Sequence, residues 1–192
     1  MSVVIVDYGA GNIQSIRFAL ARLGTTAVLS DDAAIIKTAS HVIFPGVGEA
    51  SSAMEKLRTS GLETLIPTLT RPVLGICLGM QLMCNHTEEG NTEGLKIFDT
   101  DVVRFNTDLN VPHMGWNNVN GSGVLFESIP ENSHFYLVHS FYAVLNNDVI
   151  GLCTYDVPFA AALAKNNFYG TQFHPEKSGA VGAQLLKNFL AL

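Results

Sequence analysis

The chain has 192 residues, 47% of them hydrophobic, which suits a single domain (residues 1–192) with a sizeable buried core. Its formal net charge of −6, from 17 acidic and 11 basic residues, argues against a nucleic-acid partner. No run reaches the roughly 18 apolar residues of a membrane span and the first residues do not resemble a signal peptide, so we expect a cytoplasmic protein without membrane contact.

The first half of the chain alternates short apolar runs with segments of helical periodicity. In chain order, the pattern predicts a strand at 2–7, a helix from Asn12 to Leu23 ended by Gly24, strands at 26–30 and 41–44, one or two helices between Glu49 and Thr70 broken near Gly61 and Pro67, a strand at 72–76 and a helix at 78–85. Strand–helix alternation with nearly continuous apolar strands predicts a parallel sheet covered on both faces.

After about residue 90 the pattern changes to glycine, asparagine and short β-like runs. These runs, which predict antiparallel or mixed additions, lie at 95–105, 135–145, 150–156, 159–165 and 168–173. A final helix is predicted from about Ala180 to Leu190. We therefore expect an α/β fold with a mixed, mostly parallel central sheet, helices on both faces and extra antiparallel strands in the second half.

Three cysteines are too few for a disulfide scaffold, and they form no paired CxxC motif of the kind that binds structural zinc. Cys84 and Cys153 are expected to be small buried hydrophobic residues. Cys77 differs because it lies in the run 72–81, where a strand leads through Gly75-Ile-Cys-Leu-Gly79 into a helix. This is the pattern of a nucleophile elbow with Cys in place of Ser.

The glycines of the elbow have a physical purpose. A nucleophile on a sharp strand-to-helix turn has strained backbone angles, and bulky residues on either side would crowd it. The helix N-terminus also favours the thiolate, which is the reactive form of Cys77. A bare GxCxG turn nevertheless suits a core cysteine beside packing glycines equally well.

A second segment, at 168–179, ends a predicted strand in His174-Pro175-Glu176. A cysteine nucleophile needs a base, and the base needs a partner that fixes its tautomer. Two residues that are two apart on an extended segment point to the same side, so His174 and Glu176 are expected to meet. The two segments together predict a Cys77–His174–Glu176 triad.

A third segment, PGVG at 45–48, follows the strand at 41–44. Its glycines allow backbone N–H groups to approach an oxyanion closely, although an ordinary glycine turn explains this segment on its own. The three motifs together resemble the class I (triad) glutamine amidotransferases, and the resemblance runs from Val3 to about Leu190. Within that class, DYGAGN (7–12), PHMGWN (112–117) and YLVHSFY (136–142) resemble the glutaminase subunits of imidazole glycerol phosphate synthases, which act in histidine biosynthesis.

The resemblance implies roles for individual residues. Cys77 attacks the side-chain amide of glutamine, His174 moves the protons, and Glu176 orients His174. Backbone N–H groups of Val47 and Leu78 form the oxyanion hole. In the family, the loop that corresponds to PGVG (45–48) reorients before its N–H group can donate a hydrogen bond to the oxyanion. The implied glutamine-binding residues are Gly46, Gly48, Gln81, His139, Ser140 and Phe141, and the implied interface residues are Asn12, Trp116, Tyr136 and Lys177.

The implied partner is a cyclase subunit folded as a (β/α)₈ barrel, which receives the ammonia made from glutamine. Such a barrel needs ~250 residues, so it must be a separate chain that forms a heterodimer with this one. A dinucleotide site in DYGAGN is rejected because Gln14 stands where GxGxxG requires glycine. The six histidines lack metal-binding spacing, so we expect neither a metal nor a cofactor.

Three other interpretations stay open at this point. The triad equally suits the glutaminase of another amidotransferase, of the pyridoxal phosphate or anthranilate synthase type. A stand-alone cysteine hydrolase or a redox-sensing relative is disfavoured by the spacing and Glu of the His-Pro-Glu motif. A non-catalytic interaction subunit is disfavoured because no triad member is missing.

Overall fold

The computed structural model describes residues 2–9 and 11–192. The strands of this part of the chain are β1 (Val3–Val6), β2 (Ala27–Ser30), β3 (His41–Gly46), β4 (Val73–Cys77), β5 (His86–Thr87), β6 (Thr92–Glu93), β7 (Asp101–Arg104), β8 (His113–Gly121), β9 (Ser133–His139), β10 (Phe141–Ala143), β11 (Val149–Tyr155), β12 (Val157–Lys165) and β13 (Phe168–Thr171). The α-helices are α1 (Ile13–Arg22), α2 (Ala33–Thr38), α3 (Ala50–Thr59), α4 (Leu62–Leu65), α5 (Leu78–Leu82) and α6 (Gly179–Leu190).

The sheet has a parallel half and a mixed half. Strands β2, β1, β3, β4 and β13 lie side by side and are all parallel. Beyond β13 the strands β12, β10 and β7 pair antiparallel, and β11, β8 and β9 branch from β12. This arrangement confirms the predicted α/β class, including the antiparallel additions in the second half.

Both faces of β1, β3 and β4 are buried, which explains why these strands are almost entirely apolar. Side chains alternate across a strand, so Val4 and Val6 of β1 contact one core while Val3 and Ile5 contact the other. The first core lies against α3, α4 and α5, and the second lies against α1 and α6. Two helical layers therefore hold the carboxyl ends of β3 and β4 in place, where the PGVG and cysteine motifs follow.

Several predicted elements need correction. The helix α2 was not predicted because it has only six residues; Asp32 caps it by accepting from the Ala34 N–H at 2.7 Å. The run 95–105 forms a strand only at Asp101–Arg104. Strand β8 was not predicted, yet it pairs with β9 from His113 to Val119, since cross-strand pairing overrides the low strand propensity of Gly and Asn.

Two further expectations concern single residues. Cys84 and Cys153 are buried and free, as predicted. The DYGAGN segment includes Ala10, which lies outside the described residues. Asn12, the predicted start of the first helix, is the N-cap residue of α1, which begins one residue later at Ile13.

Candidate active site

Cys77 lies at the junction of β4 and α5 in a strained backbone conformation, with φ 54° and ψ −114°. A β-carbon at Gly79 would collide with the Phe44 carbonyl oxygen, and one at Gly75 would lie 2.6 Å from the Met83 sulfur. Glycine is therefore required on both sides of Cys77. The result is a tight elbow that holds a buried cysteine at the start of a helix, as the sequence pattern predicted.

His174 and Glu176 meet, but not on one strand as we expected. Strand β13 ends at Thr171, His174 is extended, and Pro175–Lys177 forms a 3₁₀ turn. The turn replaces side-chain alternation as the reason for their contact, since Pro175 fits its first position. His174 Nδ1 lies 2.9 Å from Glu176 Oε1, and both side chains are buried.

The surroundings of His174 favour its protonated form. Burial lowers the pKa of His174, whereas Cys77 and Glu176 raise it, and the balance raises it to about 10. Glu176 occupies Nδ1, and Nε2 is buried without a hydrogen-bond partner among the described residues. Nε2 is thus the nitrogen left to exchange protons in the cavity shared with Cys77.

A cavity of about 320 Å³ opens above the elbow. Its lining contains the predicted residues Val47, Gly48, Cys77, Leu78, Gln81, His139, Ser140, Phe141 and His174, together with Glu89, Pro112 and Val138. Gly46 is absent from this lining; it pairs with Cys77 across the sheet and packs against Gly79 instead. Gly46 therefore permits close packing beneath the cavity.

The PGVG loop forms one rim of the cavity. The buried Tyr8 hydroxyl donates a hydrogen bond to the Pro45 carbonyl at 2.8 Å, which fixes the start of the loop. Val47 is 41% exposed and Gly48 has φ +99°, a conformation that favours glycine. Glu49 caps α3 directly after the loop, so a fixed segment lies on each side of Val47.

A pair of buried histidines lies behind the cavity. His139 Nδ1 lies 2.7 Å from the Phe141 carbonyl oxygen, which can only accept, so Nδ1 carries the proton. His139 Nε2 must then accept from His113 Nδ1 at 3.0 Å, and His113 Nε2 accepts from the Asn117 amide at 3.3 Å. Burial lowers the pKa of His113 to about 4 and that of His139 to about 3, so both rings are neutral.

A second set of buried amides reaches Cys77. Gln81 Nε2 donates to the Phe141 carbonyl and to Gln172 Oε1, both at 2.9 Å. Gln172 Nε2 in turn lies 3.8 Å from Cys77 Sγ. Phe141 therefore contributes its backbone carbonyl to two networks, and its ring packs on the apolar core instead of carrying a polar group.

Glu89 contributes a carboxylate to the cavity. One of its oxygens accepts from the Ala50 N–H at 3.0 Å, and the residue lies among the cavity-lining side chains. Partial burial raises the pKa of Glu89, although the bond from Ala50 opposes this shift. The sequence analysis missed Glu89 because an acidic residue in a turn gives no local signal of a binding site.

Three of the four predicted interface residues form one exposed cluster. Trp116 and Tyr136 face each other across β8 and β9, with ring centroids 6.1 Å apart, and the Lys177 ammonium lies 5.6 Å from the centre of the Tyr136 ring. Trp116 lies in strand β8 and is 56% exposed. Asn12 is separate, at the start of α1, where it accepts from the Ser15 hydroxyl.

A buried serine connects this cluster to His174. The Ser178 hydroxyl accepts from the Tyr136 N–H at 3.0 Å and donates to the His174 carbonyl at 2.6 Å. The His174 N–H also donates to the Tyr136 carbonyl at 2.9 Å. The backbone of His174 is therefore fixed to the strand that presents Tyr136, a role for Ser178 that the sequence did not reveal.

Among the described residues, every helix is too short or too polar to span a membrane. The same residues contain no cluster of three or more histidine, cysteine, aspartate or glutamate side chains placed to hold a metal ion.

Comparison with known proteins agrees with this geometry. The model of the family described as glutamine amidotransferase class-I matches residues 4–192. The chain is 52% identical over 196 residues to the imidazole glycerol phosphate synthase subunit HisH of Bacteroides thetaiotaomicron, and 49% identical over 199 residues to that of Salmonella typhimurium, with 100% of each chain covered. A crystal structure of a glutamine amidotransferase has a TM-score of 0.77 at 18% identity, covering 98% of this chain and 97% of that chain, which is a likeness of fold.

Proposed function

Because this chain belongs to the class I glutamine amidotransferase family, we propose that Cys77, His174 and Glu176 carry out its glutamine hydrolysis. The protein hydrolyses glutamine to glutamate and ammonia, and it supplies the ammonia to a cyclase subunit that makes imidazole glycerol phosphate and AICAR in histidine biosynthesis. Relatives of about 50% identity over the full chain support this pathway over the pyridoxal phosphate or anthranilate synthase type.

In the first half of the reaction, the Cys77 thiol gives its proton to His174 Nε2 and the sulfur attacks the amide carbon of glutamine. The carbon–nitrogen bond then breaks, His174 gives the proton to the leaving nitrogen, and ammonia departs from a glutamyl thioester. The 2.9 Å contact between His174 and Glu176 supports these transfers, since it fixes the tautomer and stabilises the imidazolium.

In the second half, His174 takes a proton from water, and the water oxygen attacks the thioester carbon. The carbon–sulfur bond breaks, glutamate leaves, and the proton returns from His174 to sulfur. Backbone N–H groups of Leu78 and Val47 would stabilise the oxyanion in both halves, a contribution of ~3–4 kcal/mol each. The exposed Val47 between two glycines supports a loop that reorients when the partner binds.

The cavity suits the free amino-acid end of glutamine. We assign the Glu89 carboxylate to the substrate ammonium, because it is the acidic side chain in the lining. The backbone of Ser140 and Phe141 and the side chain of Gln81 complete the pocket. Two hydrogen bonds to the Phe141 carbonyl support this assignment, since they hold the segment rigid before substrate arrives.

The partner would bind at the cluster of Trp116, Tyr136 and Lys177, and Asn12, the N-cap residue of α1, would be a separate contact. A mostly exposed tryptophan beside a tyrosine has the composition of an interface centre. We propose that the partner is a (β/α)₈ barrel chain that forms a heterodimer with residues 1–192 as a single amidotransferase domain in the cytoplasm. The link through Ser178 supports a coupling of this surface to His174.

The observation that supports the function most directly is the presence of Cys77 and the His174–Glu176 pair at one cavity. The test is Cys77→Ala in complex with the cyclase, assayed for imidazole glycerol phosphate made from glutamine or from added ammonia. We expect glutamine-dependent synthesis to be lost and ammonia-dependent synthesis to persist. Cys153→Ala is the matched control and should retain both, whereas glutamate release by Cys77→Ala would refute the assignment.

A second test addresses the partner surface. Trp116→Ala should weaken the complex by about 2 kcal/mol or more, or roughly thirtyfold, if Trp116 is an interface anchor. Titration with the cyclase barrel by calorimetry measures this change. Val28 is exposed on the edge strand β2, away from the cluster, so Val28→Ala serves as a control that should bind normally.

A further inference from the structure

The side chain of Gln172 is fully buried, lies next to the sulfur of Cys77 and has no role in the triad. Its Nε2 is 3.8 Å from Cys77 Sγ. The backbone of Gln172 is fixed as well, since its N–H donates to the Ala161 carbonyl at 2.8 Å. A buried primary amide in this position needs an explanation, because burying polar groups is unfavourable unless they find partners.

The hydrogen bonds determine which end of the Gln172 amide faces sulfur. The Phe141 carbonyl can only accept, so the group that Gln81 directs toward it at 2.9 Å must be the NH₂. The second hydrogen of that NH₂ goes to Gln172, 2.9 Å away, which must present its oxygen. The NH₂ of Gln172 therefore faces Cys77, and a backbone carbonyl fixes this orientation through two side chains.

We propose that Gln172 is a further catalytic residue whose side-chain amide donates a hydrogen bond to the Cys77 sulfur and stabilises the thiolate that attacks glutamine. The proposal rests on the function proposed above for Cys77. Hydrogen bonds to charged acceptors are stronger than those to neutral ones, so the amide favours thiolate over thiol. Gln81 acts as a positioning residue, because it holds the oxygen of Gln172 away from sulfur.

The experiment measures the alkylation of Cys77 by iodoacetamide in the folded chain as a function of pH. Only the thiolate reacts, so the midpoint of the curve reports thiolate formation and the plateau reports access to the sulfur. Cys84 and Cys153 are buried, and burial raises the pKa of both thiols, so they contribute little. The Cys77→Ala variant supplies the background to subtract.

The main variant is Gln172→Met, which keeps the approximate volume and removes the donor. We expect the midpoint to rise by about one pH unit, a tenfold loss of thiolate at a given pH that corresponds to ~1.4 kcal/mol. The plateau should stay within about twofold, because the sulfur itself is unchanged. Gln184→Met on α6 is the matched control and should leave the curve in place, since Gln184 bonds to Asn188.

An unchanged midpoint in folded Gln172→Met would overturn the proposal and leave Gln172 as a packing residue. If that variant does not fold, Gln172→Glu keeps the shape and the acceptor for Gln81. Gln172→Glu should raise the midpoint further because it places a negative charge beside the sulfur. An unchanged midpoint in Gln172→Glu would likewise overturn the proposal. Alkylation needs neither glutamine nor the partner. If Gln172→Met shifts the midpoint but the unmodified chain does not hydrolyse glutamine in complex with the cyclase, only the proposed function is refuted.

Discussion

Replacement of His113 by phenylalanine tests whether the buried histidine pair fixes the proposed glutamine pocket. The phenyl ring can keep the stack on Tyr155, whose ring centroid is 4.0 Å away at an interplanar angle of 19°, so packing changes little. The donor to His139 Nε2 is lost, however, and His139 is only 6% exposed, so its ring stays largely buried.

The expected magnitude follows from the loss of this donor. If the His139 ring stays in place, Nε2 is a buried acceptor without a partner, which costs ~1–3 kcal/mol. If the ring turns to satisfy Nε2, it gives up its 2.7 Å bond to the Phe141 carbonyl at a similar cost. Either outcome lowers the free energy of unfolding by ~1–3 kcal/mol and loosens the backbone at Phe141.

The assays are urea unfolding of the chain and glutamine kinetics in complex with the cyclase. We expect the KM for glutamine to rise roughly fivefold with kcat changed less than about twofold, because substrate binding and not the triad is disturbed. His134→Phe on the exposed side of β9 is the control and should change neither. A loss of stability without a change in KM would refute the link between His113 and the pocket.

Four further predictions concern stability at acid pH, stability at alkaline pH, the elbow and the link to the partner surface. Burial lowers the pKa of His113 to about 4 and that of His139 to about 3, below the usual 6.5, so the unfolded chain takes up protons first. The free energy of unfolding should therefore fall as pH drops from about 6.5 to about 3, and acid titration should show a shallower slope in His113→Phe. The pKa of His174 is raised to about 10. Its contribution to the free energy of unfolding is therefore complete below about pH 6.5 and is lost as pH rises through 10. The His174→Gln variant should lack this loss of stability at alkaline pH. Gly79→Ala should lower the free energy of unfolding by ~2 kcal/mol or more, because the new β-carbon meets the Phe44 carbonyl. The control Gly24→Ala has open space at φ +73° and should cost only ~1 kcal/mol. Equal losses of stability in thermal melts of the two variants would contradict this prediction. Ser178→Ala should lower both stability and kcat, because it removes the hydrogen bonds that hold the His174 backbone. The control Ser133→Ala loses the hydrogen bond to the Pro130 carbonyl and should lower stability alone. An unchanged kcat in Ser178→Ala would exclude a role of Ser178 in positioning His174.

The parallel half of the fold could be predicted from the sequence because its signals are local. Strands such as Val3–Val6 are buried on both faces and are therefore apolar at every position. The cysteine elbow could also be predicted from the sequence. The Phe44 carbonyl approaches Gly79 so closely that no side chain fits there, and the sequence therefore has glycine at this position. Strand β8 could not be predicted, because its Gly and Asn residues adopt a strand only through pairing with β9.

The sequence by itself determined the fold class, the elbow at Cys77 and the presence of a histidine and a glutamate for it, because each leaves a pattern within a few residues. The tertiary structure alone decided that Glu176 meets His174 through a 3₁₀ turn, that Glu89 lines the cavity, and that amides and histidines converge on the Phe141 carbonyl. The contact between Gln172 and Cys77 joins residues 95 positions apart. Such contacts depend on the sheet that brings β4 beside β13, and no local pattern encodes that pairing.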